Sequence, residues 1–143
     1  MTDILHDFPV ARPPEHVFAA VSTPAGLDTW WTLRSSGHAQ LDQTFELGFG
    51  PAYEWRARVS RCVPSGEFEL EMTQADRDWL GTRVGFTLTP QGTGTHVRFH
   101  HTGWPSTNDH YRTSCYCWAM YLRLLRRYVE EGEVVPYDRR LDV

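Results

Sequence analysis

The chain has 143 residues, a formal net charge of −4, and 41% hydrophobic and 22% charged residues, which is typical of one globular domain. The acidic balance argues against nucleic-acid binding and against an electrostatic membrane anchor, because both usually need a basic face. All 14 basic residues are arginine. A Schiff-base lysine, a P-loop and a Ser-Lys nucleophile pair are therefore excluded.

The N-terminal part predicts a strand followed by two short helices. Apolar and polar residues alternate over 4–10, which favours a first strand that ends before Pro13-Pro14. These prolines start a helix, because proline fixes the backbone angle that the first helical turn needs. Thr23 as N-cap, with Pro24 at the first helical position, predicts a second helix that reaches Trp30-Trp31.

Six further strands are predicted from period-two alternation, over 37–41, 43–48, 53–63, 67–73, 82–89 and 95–104. One face of each is apolar and the other polar, as in an antiparallel sheet with one solvated side. Residues that face each other on paired strands must lie on the same side of the sheet. A two-residue turn at Ser65-Gly66 would then place Val59 opposite Met72.

The same pairing rule applies to the hairpin between the last two strands. A turn at Gly92-Thr93 places Phe86 opposite Phe99 and Val84 opposite His101. His101 is therefore expected to point inward.

A long helix is predicted from Asn108 to Glu131 and ends at Gly132. Its apolar stripe has the spacing of a buried helix face and consists of Tyr111, Cys115, Trp118, Leu122, Leu125 and Val129. Residues 132–143 form an uncapped tail rich in Arg and Asp, for which no element is predicted.

This order of elements resembles the helix-grip fold. The motifs that carry the resemblance are the run 11–18 (ARPPEHVF), Thr23-Pro24 with Leu27 and Trp30-Trp31, Gly94-Thr95 with Val97, Phe99, His101 and Gly103, and Trp118 with Leu122. Over residues 4–131 the chain is similar to START-like domains of the activator of heat-shock-chaperone ATPase homologue group. That group is a neighbour of polyketide cyclases and of plant pathogenesis-related lipid carriers.

The resemblance implies an α+β protein in which a curved antiparallel sheet of six to seven strands grips the C-terminal helix, with an apolar cavity between them. Residues 1–143 would form one START-like domain, with a core over about 4–131 and a tail over 132–143. Members bind lipids, polyketides or other aromatic small molecules, and a minority catalyse cyclisation. The family often has paired glycines where this chain has Gly48-Phe49-Gly50, so Phe49 is expected to narrow the cavity mouth.

The predicted function is binding of a small, largely hydrophobic molecule, aromatic or lipid-like, in that cavity. The candidate ligand-binding residues are Trp30, Trp31, Phe49, Tyr53, Trp55, Phe68, Met72, Phe86, Phe99, His101, Tyr111, Cys115, Trp118 and Leu122. His101 and the tyrosines would orient a polar group of the ligand, and His6 is a further inward group. The alternative is that His101 is a hydrogen-bonded core histidine and that the tryptophans only pack.

Two other functions fit the same pattern. One is a cyclase or dehydratase that acts on polyketide-like substrates, which needs several polar groups around a reacting atom. The other is a chaperone cofactor or homodimer, in which side chains fill the cavity and Trp79 or Tyr137 contacts a partner.

Metal and cofactor binding are not expected. His96 and His100 would lie roughly 13 Å apart on one strand at about 3.3 Å per residue, too far to share an ion. Cys115 and Cys117 are separated by about 200° on a helix. With Cys62 they are expected to be free thiols in a reducing, cytoplasmic protein without a membrane span, either a monomer or a homodimer.

Overall fold

A computed structural model describes residues 2–143. The helices and strands, in chain order, are β1 (Thr2–Val10), α1 (Pro14–Ser22), α2 (Pro24–Trp30), β2 (Arg34–Ser36), β3 (Thr44–Gly48), β4 (Glu54–Val63), β5 (Glu67–Gln74), β6 (Arg83–Gln91), β7 (Gly94–Trp104) and α3 (Asp109–Glu131). A 3-10 helix, the tail helix, follows at Tyr137–Asp142. The strands form one antiparallel sheet in the order β1-β7-β6-β5-β4-β3-β2, and the predicted α+β helix-grip fold is confirmed.

The helix boundaries follow the predicted capping residues. The Thr23 hydroxyl accepts a hydrogen bond from the Gly26 amide at 3.1 Å, and the Asn108 side chain accepts one from the Tyr111 amide at 3.0 Å. Both contacts satisfy amides that a helix N-terminus leaves free. Gly132 ends α3 with a φ of 71°, a left-handed conformation that glycine adopts without a Cβ clash.

The β6–β7 hairpin has the predicted register. Phe86 lies opposite Phe99, and Val84 lies opposite His101. His101 is fully buried on the inner face. The two-residue length of the turn was therefore sufficient to predict from the sequence that His101 points inward.

The predicted β4–β5 register is wrong. Val59 lies opposite Leu70 rather than Met72. The turn has three residues, 64–66, in which Ser65 adopts a left-handed φ of 60°. A bulge at Ser60 adds one residue to β4 and returns Val59 to the buried face.

The predicted strand over 37–41 is also wrong. The strand that pairs with β3 is Arg34–Ser36, with Ser35 opposite Leu47. Gly37 then has a φ of 145°, and a Cβ there would lie 2.6 Å from the Phe45 ring. Because of this backbone turn β2 ends at Ser36, and residues 37–43 contain no strand.

The tail, for which the sequence predicts no element, packs on α2 through Arg140. This side chain is 3% exposed, and its guanidinium donates hydrogen bonds to the carbonyls of Asp28 at 2.7 Å, Thr32 at 3.2 Å and Val135 at 3.1 Å. The Tyr137 hydroxyl donates to the Phe49 carbonyl at 2.9 Å. The tail therefore links the end of α2 to the β3–β4 turn.

A hydrogen-bonded pair, His100 and Glu69, crosses the outer face of the sheet. The His100 Nε2 lies 2.7 Å from Glu69 Oε2, and the Ser60 hydroxyl donates to Glu69 Oε1 at 2.8 Å. Glu69 is 6% exposed, and its hydrogen bond with His100 lowers the pKa of this carboxyl to about 2. The intervening residue on β6 is Gly85, whose missing side chain lets the His100 ring cross to β5.

Replacing Gly85 with alanine is expected to break this pair. The added Cβ would lie 2.5 Å from His100 Cε1, so the ring must leave Glu69. We expect the free energy of unfolding to fall by about 2 kcal/mol, the usual cost of depriving a buried polar group of its partner. Urea denaturation of Gly85→Ala at pH 7 measures this loss. In a His100→Ala background the same change should cost much less, and an equal loss in both backgrounds would contradict the explanation.

Candidate functional site

Seven aromatic residues meet between the inner face of the sheet, α2 and α3. This aromatic cluster consists of Trp31, Phe49, Trp55, Trp79, Phe99, Trp104 and Trp118. The centroids of neighbouring rings are 4.5 to 6.0 Å apart, the range in which tilted and edge-to-face contacts are favourable. The cluster occupies the position in which the family resemblance implies a ligand cavity.

His101 lies behind this cluster with both ring nitrogens hydrogen-bonded. The Trp118 indole Nε1 donates to His101 Nδ1 at 3.0 Å, so Nδ1 carries no proton. Nε2 therefore carries the proton and donates to the Thr82 hydroxyl at 2.8 Å. Thr82 in turn donates to the Trp79 carbonyl at 2.6 Å. These contacts form a directed chain from α3 through β7 to the β5–β6 connection.

His101 is a neutral imidazole in this environment. Burial is the main cause that lowers the pKa of His101 to about 3, with a smaller contribution from His100 and His110. The Trp118 N–H also points at the nitrogen that would have to accept a second proton. For His101 to contact a ligand, one of its two present partners has to move away.

Trp79 fills most of the space between the sheet and α3. It lies on the β5–β6 connection, in a turn that begins at Asp76, and its side chain is 7% exposed. The ring stacks on Trp118 at a centroid distance of 5.9 Å and packs against Trp55 at 5.0 Å. His110 Nδ1 and Asp78 Oδ2, 3.1 Å apart, join this turn to the start of α3.

Two indole nitrogens of the cluster are buried without a hydrogen-bond partner among residues 2–143. They are Nε1 of Trp79 and Nε1 of Trp104, whose rings lie 6.0 Å apart. A buried donor without an acceptor costs about 1–3 kcal/mol. Trp30, on α2, shows the ordinary arrangement, because its Nε1 donates to the Ala20 carbonyl at 2.9 Å.

The cavity that remains beside Trp79 is small. Its volume is about 40 Å³, and it is lined by Trp31, Trp79, Ser114, Cys117, Trp118 and Tyr121. Ligand pockets usually measure about 300–1,000 Å³. A cavity of this size is too small for such a ligand.

The structure brings together six of the predicted ligand-binding residues, namely Trp31, Phe49, Trp55, Phe99, His101 and Trp118. Trp30, Phe68, Met72 and Phe86 are buried in the surrounding core. Tyr53 precedes β4 and is 49% exposed, so the expectation that it shares the inner face is wrong. Tyr111 and Cys115 are half-buried near the start of α3, and Leu122 lines a separate crevice beside β1.

The ring in the centre of the cluster, Trp79, is not among the predicted ligand-binding residues. It stands in the polar segment 76–81 (DRDWLG), where neither a period of two nor one of 3.6 applies. The available signal is a single large aromatic residue in an otherwise polar turn. Burying a tryptophan side chain removes a large apolar area from water, which favours a buried position for such a residue.

Residues 2–143 contain neither a metal-binding cluster nor a membrane-spanning helix. No group of three or more His, Cys, Asp or Glu side chains in this range could hold a metal ion. None of the helices described there is long and apolar enough to cross a membrane.

A seven-stranded sheet gripping a long helix around an aromatic cluster defines a helix-grip protein. Residues 11–130 match the family described as "Activator of Hsp90 ATPase homolog 1-like protein", and the chain belongs to this family. No curated protein matches the chain significantly.

Solved structures agree with this assignment. The Aha1 dimer from Colwellia psychrerythraea is 28% identical, with a TM-score of 0.84 over 93% of this chain and 99% of that one. The protein SSP2350 from Staphylococcus saprophyticus is 19% identical, with a TM-score of 0.78 over 94% and 96%. CalU16 from Micromonospora echinospora is 17% identical, with a TM-score of 0.73 over 98% and 81%. The last two show a shared fold.

Proposed function

We propose that this protein binds a flat, largely apolar molecule that carries an oxygen acceptor, and that the ligand takes the place of the Trp79 ring in the aromatic cluster. The observation behind this proposal is Trp79 itself. Its ring is buried, yet it stands on a loop and its N–H has no acceptor among residues 2–143. A side chain that fills a core permanently usually has this donor satisfied, as Trp30 does.

The chemistry of the surrounding residues selects the ligand class. Trp31, Trp55 and Trp118 present ring faces and edges, which favour a flat aromatic molecule. The Trp104 Nε1 stays buried when Trp79 leaves, so an oxygen on the ligand would accept its hydrogen bond. The ligand would occupy the space of the displaced indole together with the adjoining cavity of about 40 Å³. The combined volume suits two fused rings.

Under this proposal, the conformation with Trp79 in the aromatic cluster is the closed one. The loop conformation that admits a ligand is a minor state, so the apparent affinity is reduced by the fraction of molecules in that state. Binding returns the Trp79 N–H to water, where it is hydrated. This removes one of the two unsatisfied donors in the cluster.

Titration with 2-naphthol, followed by two-dimensional NMR of the indole N–H groups, tests the proposal. We expect saturable binding that shifts the Trp79 and Trp104 indole resonances, while the resonance of Trp30 stays in place. Trp79→Ala should bind at least about tenfold more tightly, because no ring has to be displaced. Leu80→Ala, an exposed position in the same loop, is the matched control and should bind like the wild type.

Binding to Trp79→Ala without any binding to the wild type would contradict the proposal. In that case the substitution would have created a hole that the native protein never opens. A shift of all indole resonances alike, without saturation, would count against it equally.

Native mass spectrometry of the purified protein separates the alternative functions. A ligand carrier releases a small apolar molecule on denaturation, and a cyclase or dehydratase changes the mass of an added substrate. An interaction module releases nothing and is found with a second chain. One structural relative is described as a dimer, and the same spectrum shows whether this chain is a monomer or a homodimer.

A further inference from the structure

A second concave site lies between the edge strand β1 and α3, on the far side of Phe99 from Trp118. We call it the β1–α3 crevice. It has a volume of about 180 Å³ and is lined by His6, Asp7, Phe8, Ala119, Leu122, Arg123 and Arg126. An engineered apolar cavity of about 150 Å³ is large enough for benzene, so the crevice has room for one ring with a short substituent.

His6, one of the residues that line the crevice, holds an unsatisfied polar atom. Nε2 of His6 is buried and has no hydrogen-bond partner among residues 2–143. The imidazole is fixed against Phe99, with stacked rings whose centroids are 6.2 Å apart. A ligand atom that completes this hydrogen bond would recover the cost of the buried, unpaired nitrogen.

The rim of the crevice is positively charged. Arg126 forms an ion pair with Glu130, in which Arg126 Nε and Glu130 Oε2 lie 3.3 Å apart. Arg123 forms no ion pair within the described part of the chain. Asp7 lies at the same edge, where it faces outward and is paired with His96 and Arg98 at 3.5 Å each. The Arg123 guanidinium is thus available to an anion.

From these three features we infer that the β1–α3 crevice binds a small carboxylate with one aromatic ring or a short alkyl chain. The apolar part packs between Phe8 and Leu122, and the carboxylate accepts hydrogen bonds from Arg123 and from the His6 ring. Arg126 adds positive charge at the rim. This inference does not depend on Trp79, and either site can exist without the other.

Phenylacetate is the probe that tests the carboxylate site. Titration of the wild-type protein, followed by backbone amide NMR, is expected to shift the signals of His6, Phe8, Ala119 and Leu122 with one saturation curve. Phenylacetamide, which has the same shape but no charge, should bind about tenfold more weakly, since a hydrogen bond to a charged group contributes more than a neutral one. The indole signal of Trp79 should stay in place, which separates this site from the aromatic cluster.

Two variants and a matched control complete the test. Arg123→Gln is expected to weaken phenylacetate binding about tenfold. His6→Phe keeps the stack on Phe99 but removes the nitrogen, and should also weaken binding. Arg127→Gln removes the same charge from an exposed position of α3 outside the crevice, and should bind like the wild type.

Three outcomes would overturn the inference. They are the absence of saturable shifts at the crevice, equal affinity for phenylacetate and phenylacetamide, and an equal loss in Arg123→Gln and Arg127→Gln. The last of these would show a general attraction of the basic helix face for anions.

Discussion

Between pH 6.5 and pH 3 the protein is expected to lose about 4 kcal/mol of its free energy of unfolding through His101 alone. In the unfolded chain this histidine binds a proton near its ordinary pKa of 6.5, whereas burial lowers the pKa in the folded protein to about 3. The unfolded state therefore binds more protons throughout this window, and stability falls as the pH falls. The loss is complete only below the folded pKa.

Glu69 acts in the same direction at lower pH. Its folded pKa of about 2 lies below the ordinary value of 4.5, mainly because of the hydrogen bond with His100. The ionised carboxylate stabilises the fold above pH 4.5, and this stabilisation disappears between pH 4.5 and pH 2. The interval from pH 6.5 to pH 5 thus reports on His101 with little contribution from Glu69.

Urea denaturation at pH 6.5 and pH 5 measures the effect of His101. The wild type should lose about 2 kcal/mol over this interval, following the linkage between pKa and stability. His101→Gln should be less stable at pH 6.5, since the Trp118 and Thr82 contacts are disturbed, but it should lose clearly less on going to pH 5. The same loss in both proteins would show that His101 is not the buried neutral group described above.

Arg140→Ala is expected to lower the free energy of unfolding by about 3 kcal/mol, although it changes a residue close to the C-terminus. The buried guanidinium is held by three backbone carbonyls and has no carboxylate partner. Two of these carbonyls, from Asp28 and Thr32, belong to the end of α2, where the helix dipole favours a cation. Alanine leaves them without donors and releases the tail helix from α2.

The neighbouring arginine provides the control for this prediction. Arg139 is exposed and makes no ion pair in the described residues, so Arg139→Ala should change stability by less than about 0.5 kcal/mol. Thermal unfolding of both variants under the same conditions gives the comparison. Similar losses would mean that the tail contributes only through its charge and not through the buried contacts.

The sequence predicted the parts of the fold that depend on regular alternation and on turn parity. His101 could be placed inward because the Gly92-Thr93 turn has two residues and β6 and β7 pair without a bulge. The β4–β5 hairpin follows the same rule, yet its three-residue turn and the bulge at Ser60 shift the register twice. The bulge shifts the alternation by one residue within β4, and a rule that assumes unbroken alternation could not predict the register there.

The centre of the candidate site could not be predicted from the sequence, for a different reason. Trp79 and Arg140 act from a loop and from the tail, where no period assigns a direction to a side chain. Their partners are far away along the chain: Arg140 contacts Asp28, and Trp79 stacks on Trp118. Only the folded chain shows that a loop tryptophan fills the predicted cavity.

The buried hydrogen bonds of Arg140 also affect where the chain can be trimmed or fused to a purification tag. The family match ends at residue 130, so trimming the chain to residues 11–130 removes both β1 and Arg140. A purification tag fused after Val143 would be separated from the buried Arg140 by only three residues, close to the end of α2. A tag fused ahead of residue 1 leaves those contacts untouched, and is the safer choice for every measurement described above.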